Sequence, residues 1–171
     1  MLHKLILKMS NNKYIYECYG FDFTVVINTY WETVYNGKPR AMLYGAYTSL
    51  LDKLIETTGK DRYVLDIGAN NGLFCIPANK LGYPIIGFEP VKDTFNNLSE
   101  SIKLNGLDNI NIYNFALSDE NNIIDIYVPE CTDNASFNKE SAILNMKNKD
   151  FEIEKVKAIT FDSFIKENPQ Y

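Results

Sequence analysis

The sequence predicts an α/β fold organised around a parallel, doubly wound sheet, and three observations carry that prediction. Tyr63, Val64, Leu65 and Ile67 form a short apolar, β-favouring run, the pattern of a buried parallel strand. Asp66 interrupts the run near its end, where a carboxylate faces the crevice beyond the strand. Gly68 and Gly72 then frame Ala69, Asn70 and Asn71. Gly68 permits a tight turn, and Gly72 lets the backbone approach a ligand or the next helix closely. Finally, a helical stretch from Leu73 to Leu81, ended by Gly82, leads to a second short apolar strand, Pro84 to Phe88, closed by Glu89.

The spacing narrows the chemistry. A dinucleotide fingerprint reads Gly-x-Gly-x-x-Gly. Here the pattern is Asp-x-Gly-x-Asn-x-Gly, and Ala69-Asn70 displaces the second glycine. A nucleotide-linked oxidoreductase is disfavoured on that ground. Glu89 follows Gly72 by 17 positions, close to the offset of about 20 at which an acidic residue meets a pair of ribose hydroxyls.

Composition bounds the rest. A chain of 171 residues, 46% apolar and 23% charged, suits one soluble globular domain. The net charge of -5 argues against a nucleic-acid partner. Cys18, Cys75 and Cys131 are far apart and His3 is the single histidine, so no metal site is expected and the thiols read as reduced. Lys4 and Lys8 break the first apolar run, which therefore does not read as a signal peptide, and no run approaches membrane-spanning length. The expectation is a cytoplasmic protein with no membrane partner.

Along the chain, Leu2–Met9, Tyr14–Tyr19 and Phe21–Ile27 are β-like, with Ser10-Asn11-Asn12 as turn material. They predict an N-terminal β-meander or hairpin as a β extension over 1–40, ahead of a cofactor-binding domain over 41–171. Ala41–Thr57 is helical by period, with Leu43, Ala46, Tyr47, Leu50, Leu51, Leu54 and Ile55 on one stripe. Val91–Asn105 is the next helix, with Phe95, Leu98, Ile102 and Leu104 inward. Asn109–Leu117 reads as one further parallel strand, from which Asn114, Ala116 and Leu117 are candidate contacts to an adenine. Ile123–Val128 reads as a strand antiparallel to its predecessor. The polar stretch from Pro129 to Asp150 reads as a loop in which Asn134-Ala135-Ser136-Phe137 is a candidate acceptor-site lining. Glu152–Phe161 is a last strand, and Asp162 is the expected cap of a short helix, Ser163–Glu167.

With these residues in place, the chain resembles the FkbM family of S-adenosylmethionine-dependent methyltransferases. The matching pieces are Val64-Leu65-Asp66-Ile67-Gly68-Ala69-Asn70-Asn71-Gly72 and Gly87-Phe88-Glu89-Pro90. Ala116-Leu117-Ser118-Asp119, Asn134-Ala135-Ser136 and Ile159-Thr160-Phe161-Asp162-Ser163-Phe164 follow in family order. The resemblance implies a Rossmann-like class I methyltransferase sheet, S-adenosylmethionine as cofactor, and O-methylation of a sugar or small-molecule hydroxyl. The cofactor carries cationic amino and sulfonium groups and no phosphate, so an acidic, glycine-lined loop suits it. Carried onto this sequence, Asp66, Gly68, Ala69, Asn70, Gly72 and Glu89 hold the cofactor, with Asn114, Ala116 and Leu117 at its adenine. The family pattern continues with a strand carrying Lys-x-Asp-x-Glu-Gly that is not found here. The sheet is therefore expected to be incomplete at its C-terminal side. Either the chain is a fragment of a longer protein, or a second copy or a partner chain completes the sheet, or the chain is a non-catalytic cofactor-binding remnant. No general base is evident; Glu130, Asp133 and Glu140 have only their place in the loop in their favour.

Overall fold

A computed structural model of the chain describes residues 13–27, 41–129, 135–143 and 150–171, with backbone alone for 41–45. Strands β1 (Lys13–Cys18) and β2 (Phe21–Val26) form an antiparallel hairpin. Its turn falls on Tyr19 and Gly20, at φ 50° and 82°, the left-handed pair that a tight two-residue hairpin turn requires. The run Leu2–Met9 and the turn Ser10-Asn11-Asn12 lie outside the described residues.

Helix α1 (Ala41–Thr57) has the extent its period predicts, but the buried stripe is narrower. Thr48, Leu51 and Leu54 are buried, while Leu50 and Ile55 are 55% and 44% exposed. The helix is anchored by two phenols. The Tyr19 hydroxyl reaches the Thr48 carbonyl and the Asp52 carboxylate, and the Tyr83 hydroxyl reaches the carbonyls of Leu54 and Thr58.

Next come β3 (Val64–Ile67), α2 (Cys75–Lys80), β4 (Ile85–Phe88), α3 (Lys92–Leu104) and β5 (Ile110–Tyr113). The three strands make a parallel sheet in the order β3-β4-β5, each crossover being a helix. One core lies between this sheet, its helices and the hairpin: Tyr14, Tyr16, Phe23 and Val25 pack with Leu51, Ile76, Ile85 and Leu98. In α3, Leu98 and Ile102 are buried as expected, but Leu104 is 47% exposed. β3 also departs from expectation. It is not buried, because among the described strands it has a neighbour on one side only.

The predicted strand Asn109–Leu117 is two strands in two sheets. The Asn114 side-chain amide donates to the carbonyls of Glu89 and Pro90, both at 2.9 Å, and the chain turns there. β6 (Ala116–Leu117) then pairs parallel with β8 (Phe151–Ile159). β7 (Asn122–Pro129) pairs antiparallel with β8 along its whole length, not with β6, giving the order β6-β8-β7. Within the predicted loop, Ser136 bridges to Tyr127 and α4 (Lys139–Ala142) forms a single turn capped by Asn138. Helix α5 (Phe161–Glu167) is capped by Thr160, whose hydroxyl accepts from the Ser163 amide; Asp162 sits in its first turn instead. Phe164 of α5 joins Ile86, Phe88 and Ile159 in a second apolar cluster on the opposite face of the parallel sheet.

Candidate functional site

The crevice lies beyond the carboxyl ends of β3 and β4, where ligands bind in open α/β sheets. The loop after β3 is built from left-handed residues: Gly68 at φ 80°, Asn70 at φ 49° and Gly72 at φ 91°. The two glycines do different work. A Cβ at Gly68 would meet nothing within 4 Å, so that position faces open space. A Cβ at Gly72 would lie 2.6 Å from Ile76 Cδ1 and 2.8 Å from Leu98 Cδ1, so that glycine serves the packing of α2 on α3. The loop is tied to the end of β4 by the amides of Gly68 and Ala69, both donating to the Phe88 carbonyl at 2.9 Å.

Glu89 is the hinge of the arrangement. One carboxylate oxygen accepts from the Asn70 amide and the other from the Val91 amide, each at 2.9 Å. A single side chain thus joins the glycine loop to the start of α3. Glu89 is only 5% exposed. Burial raises its carboxyl from 4.5 to about 7, against the lowering by those two amides, with Asp66 adding to the rise.

Asp66 is placed otherwise. It shares the sheet face of Val64 and turns beneath α2, where the Cys75 thiol bonds to it. The residue as a whole is half-buried, but its Oδ2 is shut off from solvent and has no hydrogen-bond partner. Burial raises the carboxyl from 3.8 to about 6, the thiol bond lowering it in part. The Cys75 thiol is pushed well above its ordinary range, chiefly by burial and then by the Asp66 charge.

Two adjoining hollows mark the crevice. The smaller, about 140 Å³, is lined by Gly68, Asn70, Glu89 and Val91 among others. The larger, about 590 Å³, shares Gly68, Pro90, Ile126 and Ala135 with it. Phe88, Phe115, Leu117 and Phe137 give the larger one apolar walls, and Ser118, Asp119 and Ser136 supply its polar groups. Of the nine residues expected to hold a cofactor (Asp66, Gly68, Ala69, Asn70, Gly72, Glu89, Asn114, Ala116, Leu117), five reach the hollows: Gly68, Asn70, Glu89, Ala116 and Leu117. Ala69 is buried against Gly87, Gly72 is in the helix packing, Asn114 clips the β4 end, and Asp66 lies under α2. From the loop, Ala135, Ser136 and Phe137 do line the larger hollow, whereas Asn134 lies outside the described residues. Asp119 is the one titratable side chain lining it among the described residues. Sequence reasoning placed Asp119 at the end of a stretch expected to meet the adenine; β7 and the residues 135–137 close the hollow that it lines. Among the described residues no cluster of His, Cys, Asp and Glu could hold a metal, and no helix is long and apolar enough to cross a membrane.

No protein-family model matches the chain, and no curated protein matches it in sequence. The likeness to FkbM methyltransferases therefore rests on the motifs quoted above. Among solved structures, the chain is similar to M. jannaschii TYW2 in complex with AdoMet, at 22% identity and a TM-score of 0.42, over 63% of this chain and 45% of that one. It is also similar to aTrm5 in complex with tRNALeu, at 18% identity and a TM-score of 0.42, over 70% of this chain and 41% of that one. The chain spans less than half the length of either.

Proposed function

We propose that the crevice binds S-adenosylmethionine and that the chain is the cofactor-binding part of a cytoplasmic O-methyltransferase acting on a sugar or small-molecule hydroxyl. The observation that carries the reading is Glu89, held by the Asn70 and Val91 amides at the wall of a hollow it shares with Gly68. Each of its oxygens keeps a lone pair beyond the amide it accepts, so the carboxylate can take a ribose hydroxyl pair. The fit extends to the surroundings: open space over Gly68, and an apolar hollow within the range of roughly 300–1,000 Å³ usual for small-molecule sites. Ala116 and Leu117 supply an apolar bed for an adenine. A net charge of -5 favours a small acceptor over a polyphosphate.

When bound, the cofactor supplies a methyl group on a positively charged sulfur. The chain's own contribution is alignment and exclusion of water. The Gly68–Gly72 loop fixes one wall, Glu89 anchors the ribose, and Phe88, Phe115 and Phe137 keep the hollow apolar. On this reading Asp119, the titratable side chain that lines the larger hollow among the described residues, takes a proton from an acceptor hydroxyl. A second reading is a cofactor-binding unit that acts only once its sheet is completed; it draws on β3 having a neighbour on one side only among the described strands.

Calorimetric titration with S-adenosylmethionine tests the reading. The wild-type chain binds, and Glu89→Ala weakens binding by about tenfold or more, the loss of a hydrogen-bonded charged anchor, while a thermal melt shows the variant folded. Wild-type affinity in Glu89→Ala removes the ribose assignment, and no binding by the wild type removes the whole reading. Asp119→Asn keeps cofactor affinity and lowers turnover on any accepted hydroxyl by about 100-fold or more.

A further inference from the structure

Helix α3 begins without a cap of its own. Its N-cap residue is Val91, which has no side-chain oxygen and so makes no cap bond. The first amides of a helix have no partner inside it and need one from elsewhere. Here two carboxylates from distant parts of the chain supply it. Glu89 accepts from the Val91 amide at 2.9 Å, and Glu154 of β8 accepts from the Lys92 amide at 3.0 Å. Negative charge at a helix start is also favourable in itself. Glu154 is half-buried and stands opposite Ile126 in the β7–β8 ladder. On the same face of β8, Val156 packs with Val91 and Ile126. The second sheet is thus fastened to the start of α3 by an apolar cluster and one hydrogen bond, next to the residues that line the smaller hollow.

We propose that Glu154 is a positioning residue for Glu89, acting through its hydrogen bond to the start of α3 and through its charge to keep the Glu89 carboxylate set toward the hollow. Its part in cofactor binding rests on the reading of Glu89 as the ribose anchor. Lys92 directly follows Val91, so slack at the Lys92 amide passes to the Val91 amide that Glu89 holds. The two carboxylates also act on each other. Burial is the chief cause of the raised Glu89 carboxyl; the Val91 and Asn70 amides lower it, and the charges of Asp66 from β3 and Glu154 from β8 raise it further. A glutamine at position 154 keeps an oxygen for the Lys92 amide and removes the charge, whereas an alanine removes both. The two variants therefore separate the bond from the charge. Glu152 supplies the control. It lines the same hollow of about 170 Å³ as Glu154, Val91 and Asp93, and it has no hydrogen bond to α3 among the described residues.

Carbon-detected NMR of the glutamate carboxyls follows Glu89 in the free chain, and calorimetry follows S-adenosylmethionine affinity. Glu89 titrates at about 7 in the wild type, and Glu154→Gln lowers that midpoint by roughly 0.3–1. Calorimetry is run at about pH 8.5, above that midpoint, so that Glu89 is mostly ionised in every variant. Glu154→Ala then weakens cofactor binding by about threefold or more, the loss of one charge-assisted bond, and Glu154→Gln regains most of that affinity. Glu152→Gln leaves both readings as in the wild type. An unmoved Glu89 midpoint in Glu154→Gln overturns the proposal, as does an equal shift from Glu152→Gln or wild-type affinity in Glu154→Ala. A wild-type chain that binds no S-adenosylmethionine removes the ribose reading instead, and the Glu89 titration, made without cofactor, still decides the role of Glu154.

Discussion

β3 (Val64–Ile67) and β4 (Ile85–Phe88) are each four residues long, each mostly apolar, and each ends at the crevice, yet β4 is buried at every position and β3 at none. The two are hydrogen-bonded neighbours in matched register. Their difference comes from what stands on either side. β4 has strands on both flanks and helices or aromatic clusters on both faces, while β3, among the described strands, has β4 alone. An apolar run states a need for cover; topology decides whether that need is met.

The contrast predicts unequal costs of truncation. Phe88 is buried among Phe115, Phe164 and Tyr113, and Phe88→Ala is expected to cost about 3–5 kcal/mol. Ile67→Ala, at a side chain 63% exposed, is expected to cost under about 1 kcal/mol. Urea denaturation measures both, and equal costs would break the contrast. The glycines sharpen it next. Gly72→Ala combines a left-handed φ with a clash against Ile76 and Leu98 and should cost roughly 2–4 kcal/mol. Gly68→Ala, at a similar φ but in open space, should cost only about 1–2 kcal/mol. A larger penalty at Gly68 than at Gly72 would mean the two positions have been assigned the wrong way round.

A further effect is on pH. The unfolded chain releases the Asp66 and Glu89 protons near 3.8 and 4.5, the folded chain only near 6 and 7. In that window the folded state holds more protons, so stability falls as pH rises. The melting temperature is expected to drop by several degrees between about pH 5 and pH 7.5, and Asp66→Asn should flatten the part of that slope below about pH 6. A melting temperature that climbs through this range would contradict the burial of both carboxylates.

Much of the first sheet was legible because its signals are local. The apolar runs of β3 and β4, the framing glycines and the α1 period all report on residues close in sequence. Even the left-handed Asn70 sits where a glycine-like turn is expected. What failed was whatever depends on distant partners. Asn109–Leu117 reads as one strand, since nothing local shows that Asn114 will clip the carbonyls of Glu89 and Pro90. β7 pairs with β8 across the loop between them, a choice that the pattern of Ile123–Val128 does not encode. Asp66 was expected in the crevice because it ends a strand, but period-two alternation puts it on the helix face with Val64, against Cys75. The place of Asp119 emerges only once β7 and the residues 135–137 close the larger hollow.

The outer flank of β2 meets a different fate from that of β3. The Asn105 side chain accepts from the Thr24 amide and donates to the Thr24 carbonyl, at 3.0 and 2.6 Å, and the Ser101 hydroxyl accepts from the Val26 amide at 2.8 Å. One carboxamide imitates a passing backbone, and a hydroxyl finishes the imitation. The amide protons of Thr24 and Val26 should consequently exchange with deuterated solvent slowly, as interior ones do. A hairpin otherwise open to fibrillar stacking is sealed by two side chains borrowed from a helix.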